Sequence, residues 1–304
     1  MRKIILITMA AIFAVGVMAQ QKMRVWKNNS LVYEADITQI DSITFYEEYE
    51  GALNGEFSIS STQKVRFSRG NLQYQASTET WRFAEQQYDF IGEEDENVPS
   101  INDGWIDIFG WGTGNNPTLS STDYNDYLNF VDWGINPISN GGNVCDLWRT
   151  LSKEELNYLF CSRINASSLF GFGNVNGVNG IILLPDNWEV PTNLSFVASE
   201  DQGVSYTYNR YYCYGGISVF TTNNTYTIED WHSMEENGAI FFPATHMTLY
   251  SVRTKGNYWS SSSNDNNSAY NLWFDRDGLD PQDNNDKDNY RYAKNAVRLV
   301  QDVK

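Results

Sequence analysis

Two histidines and three cysteines are the residues of this 304-residue chain best suited to nucleophilic or metal chemistry, and their spacing argues against both. His232 and His246 lie far from any cysteine, and Cys145, Cys161 and Cys213 show no C-x-x-C spacing, so the arithmetic of a zinc site fails. A catalytic nucleophile needs a base and a group that orients the base. His232 falls beside Trp231 in a helical segment, where packing or solvent is the usual role. His246 follows AIFFPAT and could line a pocket, but spacing identifies no partner for it. Carboxylates are plentiful, yet they sit in acidic loops, and a glycosidase-type acid must be buried to be tuned; no periodic pattern marks such a residue. The chain therefore reads as a binding protein rather than an enzyme.

Binding chemistry is better represented. SYTYNRYYCYGG (205–216) sets Tyr206, Tyr208, Tyr211, Tyr212 and Tyr214 among Ser, Asn and Gly, a composition that offers large, stiff contact area at low entropic cost. Tyrosine rings stack on sugars while their hydroxyls hydrogen-bond them. The same spacing fits a β-hairpin whose tyrosines are half buried, since Tyr206 and Tyr208 follow period two. Trp105 and Trp111 lie among glycines in INDGWIDIFGWGTGNNP (101–117), an aromatic loop that either packs on a sheet or meets a ligand. In 264–289, Asp275, Asp277 and Asp280 partly imitate a calcium loop, but no glutamate closes the shell, and a solvated acidic turn is the stronger reading.

These residues need a scaffold. Hydrophobic residues make up 41% of the chain and charged residues 19%, so it folds around a core instead of remaining disordered. A formal charge of −17 with no basic stripe leaves nucleic acid without a footing. Residues 1–19 combine Arg2 and Lys3 with an apolar run and small-residue punctuation, the pattern of a cleaved secretory signal, and no later segment could span a bilayer. KMRVWKNNSLVYEADITQIDSITFY (22–46) predicts a hairpin about Asn28-Asn29-Ser30 and a third run at Ile43-Thr44-Phe45, followed by a linker to residue 50. Val65, Phe67, Leu72 and Tyr74 alternate around Arg69-Gly70-Asn71, which predicts two antiparallel strands joined by a tight turn.

Two helices announce their starts. Ser152 and Glu155 form one capping box ahead of Leu156, Leu159 and Phe160, while Thr227 and Asp230 form another, with Asn237-Gly238 as the stop. AIFFPA (239–244), NYWSSSS (257–263), AYNLWF (269–274) and NAVRLVQDV (295–303) read as strands. The expectation is an α+β domain with short helices, antiparallel strands and long loops.

The order LWRTLSKEELNYLF, NGAIFFPA, NYWSSSS, AYNLWF and AVRLV resembles the Fibrobacter succinogenes major paralogous domain and its relatives of the C-type-lectin-like fold, found in exported proteins of Bacteroides-type bacteria. The resemblance spans roughly 55–304, with Leu156 where the family often has a tryptophan. It implies a C-type-lectin-like domain over 55–304 behind a small β module at 20–50, with Trp148, Trp188 and Trp259 as core rings. Arg149 and Arg298, flanked by apolar residues, are expected to pair with a carboxylate or a loop carbonyl rather than with a substrate. Formylglycine-generating enzymes share that fold and use a cysteine pair near the C-terminal strands; here no cysteine follows Cys213, so that activity is not carried over. The triplets E-P-N and Q-P-D of calcium-dependent lectins are absent.

The functional expectation is a protein secreted to, or held on, the surface of a Gram-negative bacterium, binding a glycan or protein surface through aromatic and Asn-rich loops without a cofactor. The alternatives are a structural component of a surface assembly that adds the 22–46 strands to a neighbour's sheet edge, and an enzyme whose site the sequence does not reveal.

Overall fold

The computed structural model describes residues 22–27, 30–39, 50–91, 104–208, 210–213, 218–248, 251–284 and 287–303. The signal-like segment 1–19, the run Ile43-Thr44-Phe45 and Tyr214 lie outside the described residues. The chain divides into two units, Met1–Glu48 and Tyr49–Lys304.

In the first unit, strands Lys22–Lys27 and Ser30–Asp36 pair antiparallel, as the Asn-Asn turn predicts. Alternation sorts their side chains. Lys22 and Arg24 reach Glu34 at 2.7 and 2.6 Å on one face, while Met23 sits opposite Ala35 and Val25 opposite Tyr33 on the other. Val25, Trp26, Leu31, Val32 and Tyr33 are all exposed. An isolated two-stranded sheet is marginal in water, so this hairpin presents apolar surface that it cannot bury itself.

The second unit is α+β, mostly strands with a few short helices, arranged in several largely antiparallel sheets. Its largest sheet has eight strands. From one edge these are Val204–Thr207, Arg210–Cys213, Gly278–Asp283, Ala269–Asp275, Ser251–Ser263, Asn295–Ala296 and Ile108–Phe109, with His246–Thr248 pairing beside the long strand Ser251–Ser263. A four-stranded sheet combines Thr225–Tyr226, Phe170–Val175, Val178–Leu183 and Ile240–Pro243, and two three-stranded sheets complete the unit.

Two expected pairings are replaced. Lys64–Phe67 and Leu72–Gln75 do not pair with each other. The first joins Phe57–Ser58 and Val300–Asp302, the second Thr80–Phe83 and Trp105–Ile106. Ser68–Asn71 instead carries the chain between sheets, with the Ser68 and Leu72 amides donating to the Leu299 and Val297 carbonyls at 2.9 Å each. NAVRLVQDV is likewise two strands, because Ala296 pairs with Tyr258 while Val300 pairs with Phe67. A backbone that alternates correctly can still change partners midway, since alternation fixes faces and not neighbours.

Both capping boxes form. The Ser152 hydroxyl accepts from the Glu155 amide at 3.2 Å and Glu155 Oε2 accepts from the Ser152 amide at 2.7 Å, opening helix Lys153–Asn157, which widens into a π-turn at Tyr158–Ser162. Thr227 and Asp230 repeat the arrangement ahead of helix Ile228–Glu236, and Gly238 at φ 92° ends it. Thr227→Ala removes one cap and is expected to cost about 1 kcal/mol, read as a lowered urea midpoint at unchanged slope; an unchanged midpoint contradicts the assignment. No helix among the described residues is long and apolar enough to cross a membrane.

Aromatic rings hold the unit together. Trp148, Trp259, Trp133, Trp81 and Trp111 share one buried cluster with Phe83 and Phe109. Trp231, Met234 and Phe241 form a second cluster, against whose edge Trp188 packs half buried. Leu156, Leu159 and Phe160 join the inner face of the large sheet in the third. Arg149 makes a two-pronged contact with Glu155 at 2.9 and 2.8 Å and reaches Asp302 at 2.7 Å. Arg298, fully buried, donates to Gln87 Oε1 at 2.7 Å and meets no carboxylate among the described residues.

Candidate functional site

Strands Val204–Thr207 and Arg210–Cys213 form a hairpin at the edge of the eight-stranded sheet, so alternation decides which tyrosines a ligand could meet. Tyr211 points inward. It is 4% exposed, lies 4.8 Å from the Phe170 ring and donates its hydroxyl to the Phe160 carbonyl at 2.7 Å, so it belongs to the core and not to a binding surface. Tyr206, opposite Tyr211, covers that ring from the sheet edge at 4.8 Å and keeps 48% of its surface. Tyr208 occupies the turn at φ 54° and is 91% exposed. Tyr212 alone of the described four stands on the outer face, 37% exposed.

Beside Tyr212 is a residue that the tyrosine spacing hides. The Arg210 guanidinium lies 4.3 Å above the Trp273 ring and 5.6 Å from the Tyr212 ring. It makes no hydrogen bond or ion pair with any described residue. Cation–π contact with two rings positions the charge while leaving its planar fork of donors uncommitted. The strand register explains the stack: Arg210 and Tyr212 alternate with the buried Tyr211 and Cys213, and Trp273 is two strands further in, beyond Gly278–Asp283 and opposite Asp280.

Acceptors flank the stack. Asp280 and Asp275 each accept one backbone amide, from Gln282 at 2.9 Å and from Asp277 at 2.7 Å. Burial raises both carboxyls above the ordinary aspartate range, and the Arg210 charge only partly offsets it. These two are the desolvated acids that sequence periodicity did not mark. The stretch 264–289 is therefore not simply a solvated acidic turn. Gly278–Asp283 is a sheet strand with Asp280 and Asp283 buried, and a bulge between Asn271 and Trp273 absorbs its irregular register.

The suggested calcium set does not assemble. Arg276-Asp277 is the two-residue turn between strands Ala269–Asp275 and Gly278–Asp283, where the Asp277 carboxylate faces Arg276 at 3.8 Å and solvent. Asp275, Asp277 and Asp280 are spread over a hairpin, and among the described residues no group of three or more histidine, cysteine, aspartate and glutamate side chains could hold a metal.

Trp111 is likewise withdrawn from the surface. It is 3% exposed, its indole donates to the Ser260 carbonyl at 2.9 Å, and Arg291 stacks on it at 4.4 Å. Trp105 sits half buried in a different sheet under Arg82 at 3.8 Å. A separate aromatic surface group, Tyr124, Tyr290 and Tyr292, has ring centres 5.1 to 5.7 Å apart. It unites residues more than 160 positions apart in sequence, which local spacing cannot reveal.

Of the nucleophile candidates, the Cys161 thiol lies between the Tyr206 and Tyr211 hydroxyls, and burial pushes it up to about 11, so it stays protonated at neutral pH. His232 is exposed on its helix. Compared with family models, curated proteins and solved structures, the chain finds no match.

Proposed function

We propose that this chain is an exported, non-catalytic binding protein of a Gram-negative cell surface, built on a C-type-lectin-like scaffold, whose outer sheet face around Tyr212, Arg210 and Trp273 takes a neutral glycan. The observation that carries the reading is Arg210: a guanidinium steadied by two rings, its donors bonded to none of the described residues, beside the Asp280 and Asp275 acceptors. A sugar presents hydroxyls that both donate and accept, together with an apolar C–H face, and this strip offers a partner to each. The charge of −17 disfavours acidic polysaccharides. Tyr206 and Tyr208 border the face and widen its aromatic rim.

The test is a neutral-glycan array probed with the intact chain. Arg210→Ala and Tyr212→Ala are each expected to weaken the retained signal about tenfold or more, the loss of one anchoring contact at about 1.4 kcal/mol, while thermal stability changes little. Binding that survives both substitutions, or no glycan retained by the wild type, overturns the reading.

A second reading, a structural component of a surface assembly, is favoured by a different observation: the exposed Val25, Trp26, Leu31, Val32 and Tyr33 of the N-terminal hairpin. Tight self-association in sedimentation without glycan retention would favour it.

A further inference from the structure

The groups around Arg210 stand at fixed ladder positions about a residue that has no side chain. Gly278 pairs with Tyr212 on one side and with Asp275 on the other, so it puts nothing between those two on the outer face of the sheet. Arg210 and Asp280 lie one row along. Tyr211 pairs with Leu279, which makes Arg210 and Asp280 the next positions on their strands, and Asp280 is opposite Trp273. Asp280 is buried, and Trp273 is buried under the Arg210 guanidinium, so neither offers a ligand more than an edge. Asp275 is only half buried, and among the described residues its carboxylate accepts just the Asp277 amide, at 2.7 Å. Three groups therefore remain open around Gly278: the Arg210 guanidinium, the Asp275 carboxylate and the Tyr212 ring.

One of these groups only donates, one only accepts and one is apolar, and that combination sorts the sugars. A carboxylated sugar suits Arg210 but meets Asp275, Asp280 and a chain charge of −17. An amino sugar suits Asp275 but sets its ammonium against the guanidinium. A plain hydroxyl both donates and accepts, so it gains nothing from having donor and acceptor on separate sides. A secondary amide differs: its carbonyl only accepts, its N–H only donates, and the two point to opposite sides of one plane. The dimensions agree. Arg210 and Asp275 stand two strand spacings apart, about 10 Å, and an amide with a hydrogen bond of about 2.9 Å at each end spans about 8 Å.

We infer that the glycan taken by this face carries an acetamido group, with its carbonyl on the Arg210 fork, its N–H on the Asp275 carboxylate and its methyl against the Tyr212 ring. The inference rests on the glycan reading above and narrows it to N-acetylated sugars. Both hydrogen bonds are charge-assisted, the stronger kind. A sugar without the amide leaves a guanidinium and a carboxylate desolvated and poorly matched, and discrimination of that kind exceeds what a methyl group alone provides.

The full chain is titrated with three trimers of identical linkage, built from N-acetylglucosamine, glucosamine and glucose. The acetylated trimer is expected to bind about tenfold or more tighter than either of the others. Asp275→Asn keeps an acceptor for the Asp277 amide but turns a donor toward the ligand N–H, so it is expected to bring the three affinities within about twofold of one another. Equal binding of the acetylated and glucose trimers overturns the acetamido assignment and leaves the glycan reading standing. Tightest binding of the glucosamine trimer, the result of charge attraction to an acidic chain, overturns it as well. So does a wild-type preference that survives Asp275→Asn. No binding of any glycan, on the array or here, overturns the glycan reading and this inference with it.

Discussion

Asp186→Ala is expected to lower stability by about 3–4 kcal/mol, because one carboxylate closes three separate accounts of charge and hydrogen bonding. It accepts the Ser58 amide at 3.1 Å and the Ser58 hydroxyl at 2.6 Å, and it faces Lys64 at 3.2 Å and Arg163 at 3.3 Å. Arg163 is 4% exposed, and burial already brings its guanidinium down to about 10. Without Asp186 that charge keeps only the Leu169 carbonyl, at 3.3 Å, among the described polar groups, and the strand Phe57–Ser58 loses its side-chain tie to the loop after Leu183. The corresponding fall in Tm is about 10 °C for a unit of this size. A pH series adds a sign. Burial alone would raise the Asp186 carboxyl, but the Ser58 donors, Lys64 and the Arg163 charge outweigh it and hold it below the usual range. Its contribution is therefore complete above the unfolded aspartate value and lost as pH falls through the lowered folded value. The wild type should lose stability more steeply than the variant below about pH 4; parallel acid limbs would contradict the assignment.

Gly278→Ala is expected to act on the proposed binding face itself. Gly278 has φ 155° and is paired with Tyr212 where the tyrosine hairpin joins the sheet. A Cβ there would lie 2.0 Å from the Tyr211 carbonyl oxygen, which is backbone and cannot swing aside. Accommodation requires Arg210–Cys213 to move off Gly278–Asp283, separating Arg210 from Trp273. We expect a loss of about 3 kcal/mol from combined overpacking and strain, together with loss of glycan retention and a shifted tryptophan emission. Unchanged melting and unchanged retention would show that the hairpin does not depend on this close approach.

Local signals carried much of the fold because their physics is local. Ser152 with Glu155, and Thr227 with Asp230, need only three residues to satisfy helix-end amides, and both boxes form where their spacing places them. Trp148 and Trp259 are core rings, and Trp188 half so, as bulky apolar groups in a domain with little helix must be. Partnership was less legible. Nothing near Arg69-Gly70-Asn71 tells the chain to leave the sheet that pairs with Val300–Asp302 for the one that pairs with Trp105–Ile106, and nothing in NAVRLVQDV marks the switch from Tyr258 to Phe67, strands more than 35 residues away. Strand Gly278–Asp283 is obscured by Pro281 and its polar neighbours Asp280, Gln282 and Asp283. Pro281 is tolerated because pairing with Arg210–Cys213 stops at Leu279 and the bulge opposite Asn271 and Trp273 spares its missing donor.

The candidate site was half visible for a similar reason. The tyrosines mark the hairpin Val204–Thr207 with Arg210–Cys213, and period two predicts that Tyr211 and Tyr212 cannot face the same way. Arg210 and Trp273 meet only across two strand boundaries, so the stack that organises the surface is a product of topology.

Hydrogen exchange of the intact chain, measured with and without a glycan retained on the array, tests the central claim most directly. Protection is expected over Val204–Cys213 and around Gly278, the segments that carry Arg210, Tyr212 and the flanking carboxylates. Protection confined to Lys22–Asp36, or absent throughout, would contradict it.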